Sequence, residues 1–380
     1  MSLRVGLVGC GNISEIYLLN ARQFTSFEIV ACADLDESRA RAKAESHGVA
    51  QRSLPALLAD PAIDIVLNLT PAQAHADVSL AALGSGKHVY SEKPLAANAA
   101  PAAAIVERAR QAGRRVGCAP DTVLGANVQA AARLLDGGEI GDVVFATAGV
   151  LSHGMEHWHP DPRAFYQAGG GPVLDMGPYY VGALVTLLGP VVRVQSAGRI
   201  GIATRTVTTA SSALRGQSFT PEVQTTVSSV LQFAGGAQAT LVASWDAWAH
   251  AHPMLELHAT GGSLRLADPN WFGGPLGVAR GNAGWVETPT DAMIFGRPNR
   301  PAAGTQVANY RGLGLAEMAA AISAGRPHLA SGEMALHVLQ VLLAIGTSAG
   351  GAGAVDLPAA RFERPRLSEA AARELWRDAP

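Results

Sequence analysis

Near the start of the chain, Gly9-Cys10-Gly11-Asn12-Ile13-Ser14 follows a short apolar run and opens an amphipathic one. Gly9 permits a tight turn there, and Gly11 lets backbone approach a pyrophosphate. The free N–H groups of a helix start, at Asn12 and Ile13, can face the phosphates. Asp34, at the end of the next apolar run, can accept hydrogen bonds from both ribose hydroxyls of an adenosine, or cap the helix that follows. Leu35 comes next, with no arginine beside it for a 2′-phosphate, so NAD is the expected dinucleotide and NADP the second choice. Thr70-Pro71 with His75, and Glu92-Lys93-Pro94, fall at the ends of later apolar runs. Ligands of open α/β sheets lie beyond the carboxyl ends of the strands, which assigns Thr70, Pro71, His75, Glu92 and Lys93 to the same cofactor site. Lysine is scarce, with only Lys43, Lys87 and Lys93 among 29 Lys+Arg. Arginine cannot lose its proton, so each retained lysine is a candidate for proton chemistry.

Farther along, His153-Gly154-Met155-Glu156-His157-Trp158-His159-Pro160 precedes Phe165-Tyr166 and a triple glycine. Trp158 or Tyr166 can stack on a pyranose face and His157 can reach hydroxyls, so these three are candidate substrate contacts; the alternative is a surface loop without a role. Three imidazoles and Glu156 crowd this stretch, yet none of the known zinc spacings is present, and no metal is expected.

The elements that must position these groups change character along the chain. Up to about residue 120, short β-branched runs (3–8, 28–33, 63–69, 88–91, 115–119) alternate with Ala-rich amphipathic runs (13–24, 37–46, 73–84, 99–111). That alternation predicts βαβ units: an α/β, doubly wound parallel sheet of Rossmann type. Beyond it, runs at 143–150, 191–200, 225–233, 237–244, 254–258 and 263–266 alternate as antiparallel strands do, which predicts an α+β region with a large, mostly antiparallel open sheet. Two Gly-, Pro- and Asn-rich stretches, 268–284 and 291–304, read as loops, and helices are expected at 310–324 and 332–349. The expected division is a nucleotide-binding domain over 1–121 and a substrate-binding and oligomerisation domain over 122–380.

Composition narrows the class. Of 380 residues, 48% are hydrophobic and 16% charged, enough apolar material for packed cores. A net charge of -2 is not the basic footprint of a nucleic-acid binder. The long uncharged stretch 176–192 contains Pro178 and Pro190 and reads as buried rather than membrane-spanning. Three cysteines without a C-x-x-C pair, and an N-terminus without a leader pattern, point to a reducing cytoplasm.

Taken in order, Gly9-x-Gly11, Thr70-Pro71-x-x-x-His75, Gly86-Lys87-His88-Val89, Glu92-Lys93-Pro94 and Gly169-Gly170-Gly171-Pro172-Val173-Leu174-Asp175-Met176-Gly177-Pro178-Tyr179 resemble the Gfo/Idh/MocA oxidoreductases, the group of glucose-fructose oxidoreductase and inositol dehydrogenase. The resemblance implies a Rossmann domain, a second domain with a large open sheet, and hydride transfer between nicotinamide and a secondary alcohol or ketone of a sugar or cyclitol. It also implies that Lys93 is the central acid/base group, and desolvation beside a nicotinamide cation would lower its pKa toward working pH. Many members carry histidine where this chain has Tyr179, a variant that resembles the glucose-fructose oxidoreductase branch. Asp175 and Tyr179 are four apart and share a helix face, so Tyr179 is expected to donate or relay a proton and Asp175 to orient substrate hydroxyls or the catalytic pair. Lys93, Asp175 and Tyr179 are thereby both catalytic and substrate-binding candidates. The resemblance further implies a homodimer or homotetramer built through the second-domain sheet. Two alternatives share the scaffold: an NAD-dependent glycoside hydrolase that oxidises its sugar transiently, and a non-catalytic nucleotide-bound sensor.

Overall fold

The computed structural model describes residues 2–302 and 304–377. Six strands form the first sheet: β1 (Leu3–Val8), β2 (Phe27–Ala33), β3 (Ala50–Gln51), β4 (Ile65–Asn68), β5 (His88–Ser91) and β6 (Val116–Cys118). All their pairings are parallel, in the order β3-β2-β1-β4-β5-β6, the expected doubly wound arrangement. Helices α1 (Ser14–Ala21), α2 (Glu37–His47), α3 (Leu54–Ala59), α4 (His75–Gly84) and α5 (Ala99–Ala112) connect them. The central strands are apolar toward both helical layers, and Val5, Leu7, Ile65, Val66 and Leu67 are completely buried.

Local chemistry sets the helix ends. The Asp36 carboxylate accepts from the N–H groups of Ser38 and Arg39 at the start of α2, and Gly48 closes that helix in the left-handed conformation. Helix α1 stops at Ala21 rather than running to Phe24, because Phe24 forms a backbone bridge with Trp376 and buries its ring among Phe27, Phe295 and Trp376.

The remaining elements are α6 (Ala126–Asp136), β7 (Val143–Leu151), α7 (Gly171–Leu188), β8 (Val191–Arg199), β9 (Arg205–Thr206), β10 (Ser218–Phe219), β11 (Thr226–Phe233), β12 (Gln238–Ser244), β13 (Leu255–Ala259), β14 (Ser263–Leu266), β15 (Leu276–Ala279), β16 (Trp285–Thr288), β17 (Arg300–Ala302), β18 (Thr305–Val307), α8 (Leu313–Ser323), α9 (Gly332–Thr347), β19 (Val355–Asp356) and α10 (Glu369–Leu375). Nine strands make the second sheet, in the order β16-β15-β14-β13-β7-β12-β11-β8-β19, with β7 and β12 parallel and the other pairings antiparallel. The stretches 268–284 and 291–304, expected to be loops, contain β15 and β17. These strands are three or four residues long, and their Gly, Pro and Asn flanks hide them from pattern reading.

Helices α6, α7 and α9 pack on one face of the second sheet. The other face looks outward: along β11, Val227, Leu231 and Phe233 are buried while Ser228, Val230 and Gln232 are exposed. Helices α8 and α9 also return to β6, so the last part of the chain ties the two sheets together.

Candidate active site

The turn after β1 is built for a close approach. Gly9 has φ of 99°, and a Cβ there would sit 2.6 Å from the Leu69 carbonyl carbon and oxygen, so only glycine fits. A Cβ at Gly11 would meet nothing within 4 Å, which leaves open space over the helix start. Cys10, Gly11 and Asn12 line a cleft whose other wall is Arg39 and Lys43 of α2, and the Ile13 side chain is partly exposed at the start of α1. Asp34 stands at the end of β2, where its carboxylate accepts from the Cys10 N–H at 2.6 Å and the Asp36 N–H at 2.8 Å. It therefore shapes the glycine turn directly, and the helix cap is Asp36 instead. Arg39 and Lys43 modify the expectation about charge beside Asp34: the neighbour Leu35 is apolar, but one turn of α2 brings two cations to the cleft, ion-paired with Asp36 and Glu15.

The strand ends beside β1 form one edge. Thr70 bonds through its N–H and hydroxyl to the Asn68 side chain, and Pro71 is exposed at the start of a helical turn over 72–74. His75 is a correction to the expected cofactor contact. It is 1% exposed, and its ring nitrogens lie 2.6 Å from the Pro94 carbonyl and 2.7 Å from the Thr70 carbonyl. With both nitrogens engaged it staples two loops of the site together and offers nothing to a ligand. Glu92 likewise spends its carboxylate inside the protein, accepting from the Tyr17 hydroxyl and the Lys93 N–H, both at 2.9 Å.

Lys93 is brought onto α7. Its Nζ donates to the Asp175 backbone carbonyl at 2.8 Å and to Asp175 Oδ1 at 3.0 Å. Tyr179 lies one turn farther along that helix, with Nζ 5.4 Å from its ring centroid. Pro178 sits inside α7 between them and has no N–H to give the carbonyl four residues back. The three residues assigned to catalysis thus meet at the carboxyl edge of the first sheet. Without a nicotinamide cation beside it, burial pushes the Lys93 ammonium pKa down, but Tyr179, Asp175 and Glu92 outweigh burial and hold it above the ordinary lysine value.

The second candidate cluster divides. Tyr166 is 1% exposed, donates to Glu156 and accepts from the Met155 N–H, and packs on Trp245, Phe219 and the Arg205 guanidinium. It is a core residue, not a stacking surface, because buried Arg205 bridges Glu156 and Asp246 and draws the Tyr166 hydroxyl inward with them. His157 and Trp158 stay exposed on the loop, and their aromatic contacts are with His153 and His159. No cluster of three metal-ligating side chains occurs among the described residues.

Arg311 was not marked by the sequence. It lies just before α8 and is 8% exposed, with its guanidinium carbon 5.9 Å from the Tyr179 ring centroid and 5.5 Å from that of Trp271. No local motif flags it, since its neighbours in space come from Asn270 and α7, far away in sequence.

Comparison with known proteins identifies the family. Residues 3–119 match the family model described as "Oxidoreductase family, NAD-binding Rossmann fold", and residues 128–265 match the GFO/IDH/MocA C-terminal domain. The chain belongs to the GFO/IDH/MocA oxidoreductase family. As a member it is an oxidoreductase with an NAD-binding Rossmann fold, and the open glycine turn with Asp34 fits that dinucleotide. D-xylose 1-dehydrogenase (NADP(+)) 2 of Haloferax volcanii is 33% identical over 243 residues, 63% of this chain and 69% of that one. Inositol 2-dehydrogenase of Salmonella typhimurium is 32% identical over 120 residues, 30% of this chain and 36% of that one. An NAD-binding oxidoreductase from Klebsiella pneumoniae has the same fold, with a TM-score of 0.79 at 22% identity over 94% of this chain and 99% of that one.

Proposed function

We propose that this family member is an NAD(P)-dependent dehydrogenase or reductase that transfers hydride between nicotinamide and a secondary alcohol or ketone of a sugar or cyclitol. The observation that carries the reading is Lys93 Nζ on Asp175 at 2.8 and 3.0 Å, with Tyr179 one turn away at the carboxyl edge of the nucleotide-binding sheet. The names of the Haloferax and Salmonella relatives support the substrate class. Bound nicotinamide supplies or takes the hydride at the substrate carbon. Two of the three Lys93 N–H donors are engaged by Asp175, which leaves the third for the substrate oxygen. As an ammonium it polarises a carbonyl and stabilises the charge that grows there. In the reductive direction Tyr179 breaks its O–H bond and gives that proton to the carbonyl oxygen as the carbon receives hydride; oxidation reverses both transfers. Asp175 aims Lys93 and keeps a carboxylate oxygen free for a neighbouring hydroxyl.

Cofactor binding falls to Gly9, Gly11, Asn12, Ile13, Asp34, Thr70 and Pro71, with NAD preferred because the Asp34 carboxylate suits a free ribose hydroxyl and repels a phosphate. NADP is the weaker substitute, drawn by Arg39 and Lys43. His157 and Trp158 are the substrate contacts kept from the loop. Residues 1–121 form the nucleotide-binding part and 122–380 the substrate-binding and oligomerisation part, joined as a homodimer or homotetramer through the outer face of the nine-stranded sheet. Three unpaired, buried cysteines suit a reducing cytoplasm.

The test is NADH absorbance on purified protein against free sugars, inositols and glycosides, with NAD and NADP in parallel and Lys93→Met as control. Turnover that falls by about 10³-fold in the variant supports the reading. Glycoside cleavage without net NADH transfers the assignment to an NAD-dependent hydrolase, and retained nucleotide without any turnover transfers it to a sensor.

A further inference from the structure

Arg311 is an expensive residue to bury. Its hydrogen bonds go to neutral groups: Asn309 Oδ1 at 2.9 Å, Asn270 Oδ1 at 2.8 Å and the Asn270 carbonyl at 3.4 Å. No ion pair within contact distance joins it to a carboxylate among the described residues; Glu92 and Asp121 act on it only from farther away. Burial disfavours the cation, yet Tyr179, Glu92 and Asp121 together keep its pKa above the ordinary arginine value.

The backbone around it is held just as firmly. Asn20 of α1, fully buried, donates to the carbonyls of Asn309 at 3.1 Å and Arg311 at 3.0 Å. Asp121 accepts from the N–H groups of Gly312 at 2.8 Å and Gly314 at 3.0 Å, and Asn299 accepts from the Asn309 N–H at 2.8 Å. A flexible side chain fixed at both backbone and guanidinium has lost its ordering entropy before substrate arrives. A desolvated cation without a carboxylate in contact, held in one place beside a reacting group, belongs to catalysis more than to stability.

We propose that Arg311 is the second cation of the active site, paired with Lys93 across Tyr179, and that it stabilises the negative charge left on the phenol oxygen as Tyr179 gives up its proton. Lys93 and Arg311 lie 5.4 and 5.9 Å from the same ring centroid. When the Tyr179 O–H bond breaks and the alcohol O–H forms, the charge left on the phenol lies beside two fixed cations, each within 6 Å of its ring centroid, and the return of a proton from solvent resets the site. The other charged or titratable groups facing this pair are Glu92 beside Lys93, Asp175 on α7, Asp121 at the start of α8, and Asp268 with Tyr180 behind Asn270.

This inference rests on the dehydrogenase reading, and the assay separates the two. Arg311→Met, Arg311→Lys and Asn270→Ala are compared with wild type for kcat, KM, NADH affinity, melting temperature and the pH profile of kcat in the reductive direction. For Arg311→Met the expectation is a fall in kcat of about 10²-fold, with KM and NADH affinity within about threefold. The alkaline limb of its pH profile moves upward, because the site has lost a positive charge beside the reacting groups. Arg311→Lys, which keeps the charge without the planar fork, recovers about tenfold of the loss. Asn270→Ala, which frees the guanidinium without removing it, falls between wild type and Arg311→Met. Unchanged kcat and pH profile in Arg311→Met overturn the inference alone, as does a loss of melting temperature, KM and NADH affinity in step with kcat. Absence of turnover by wild type across the substrate panel overturns the dehydrogenase reading and this inference with it.

Discussion

Asp121 is 1% exposed, and its carboxylate caps the start of α8 through Gly312 and Gly314. Burial raises its pKa to about 6, more than the Gly314 and Gly312 hydrogen bonds and Arg311 can lower it. A carboxyl raised in the fold favours the protonated form. Its contribution to stability is therefore complete below the unfolded pKa near 3.8 and is lost as pH climbs through about 6. The charge carried above that pH costs about 3 kcal/mol relative to the neutral acid. Asp121→Asn keeps an acceptor for the two glycine N–H groups but cannot ionise. Urea unfolding at pH 4 and pH 8 is expected to show the variant gaining up to about 3 kcal/mol on wild type between the two values. Parallel pH dependence of the two proteins would show that the carboxylate is stabilised by contacts beyond these.

Among the elements, the β1–α1 turn separates two uses of glycine that look identical in sequence. Gly9 is needed by the fold: φ of 99° and a Cβ 2.6 Å from Leu69 backbone leave no room for a side chain. A Cβ on Gly11 would point into open space, so its small size serves whatever binds there. Gly9→Ala is expected to cost about 2 kcal/mol or more in stability and to weaken NADH binding as a consequence. Gly11→Ala is expected to melt within about 1 °C of wild type while losing at least tenfold in NADH affinity. Differential scanning calorimetry and NADH fluorescence titration on both variants check the contrast. Equal melting and unequal affinity in the opposite order would reverse the roles. The His75 staple belongs to this scale as well, since it joins the loop after β4 to the loop after β5 and so holds Lys93-Pro94 against the same edge.

For the whole molecule, the outer face of the nine-stranded sheet bears on assembly. Phe145 is 46% and Val230 39% exposed there, and Phe145 stacks on His258 at 4.5 Å across neighbouring strands. An antiparallel sheet with one face covered by helices leaves its other face to solvent or to a partner. Val230→Asp placed on that face is expected to convert the proposed oligomer to monomer in light scattering at micromolar concentration, with the melting temperature of the separated chain retained. A wild-type protein already monomeric under those conditions refutes the assembly.

The alternation of buried strands and amphipathic helices made the first sheet legible from the sequence alone, because a parallel strand covered on both faces must be apolar throughout. The spacing of Asp175 and Tyr179 was readable for a similar reason: helical geometry places residues four apart on one face wherever the helix lies. The ordered motifs also named the family, which the comparisons then showed. What the sequence left open concerns residues whose meaning depends on partners distant along the chain. His75 and Tyr166 have the right chemistry for ligand contact, but packing turned both inward, where buried acceptors claimed them. Arg39 and Lys43 reached the cofactor cleft only once α2 had folded against the turn after β1. Arg311 gained its place from Asn20, Asp121 and Asn270, contributed by three separate segments, and no local pattern could announce that convergence. Periodicity is a property of neighbours in sequence, whereas the charge around a reacting group is summed over neighbours in space, and only the tertiary structure determines those.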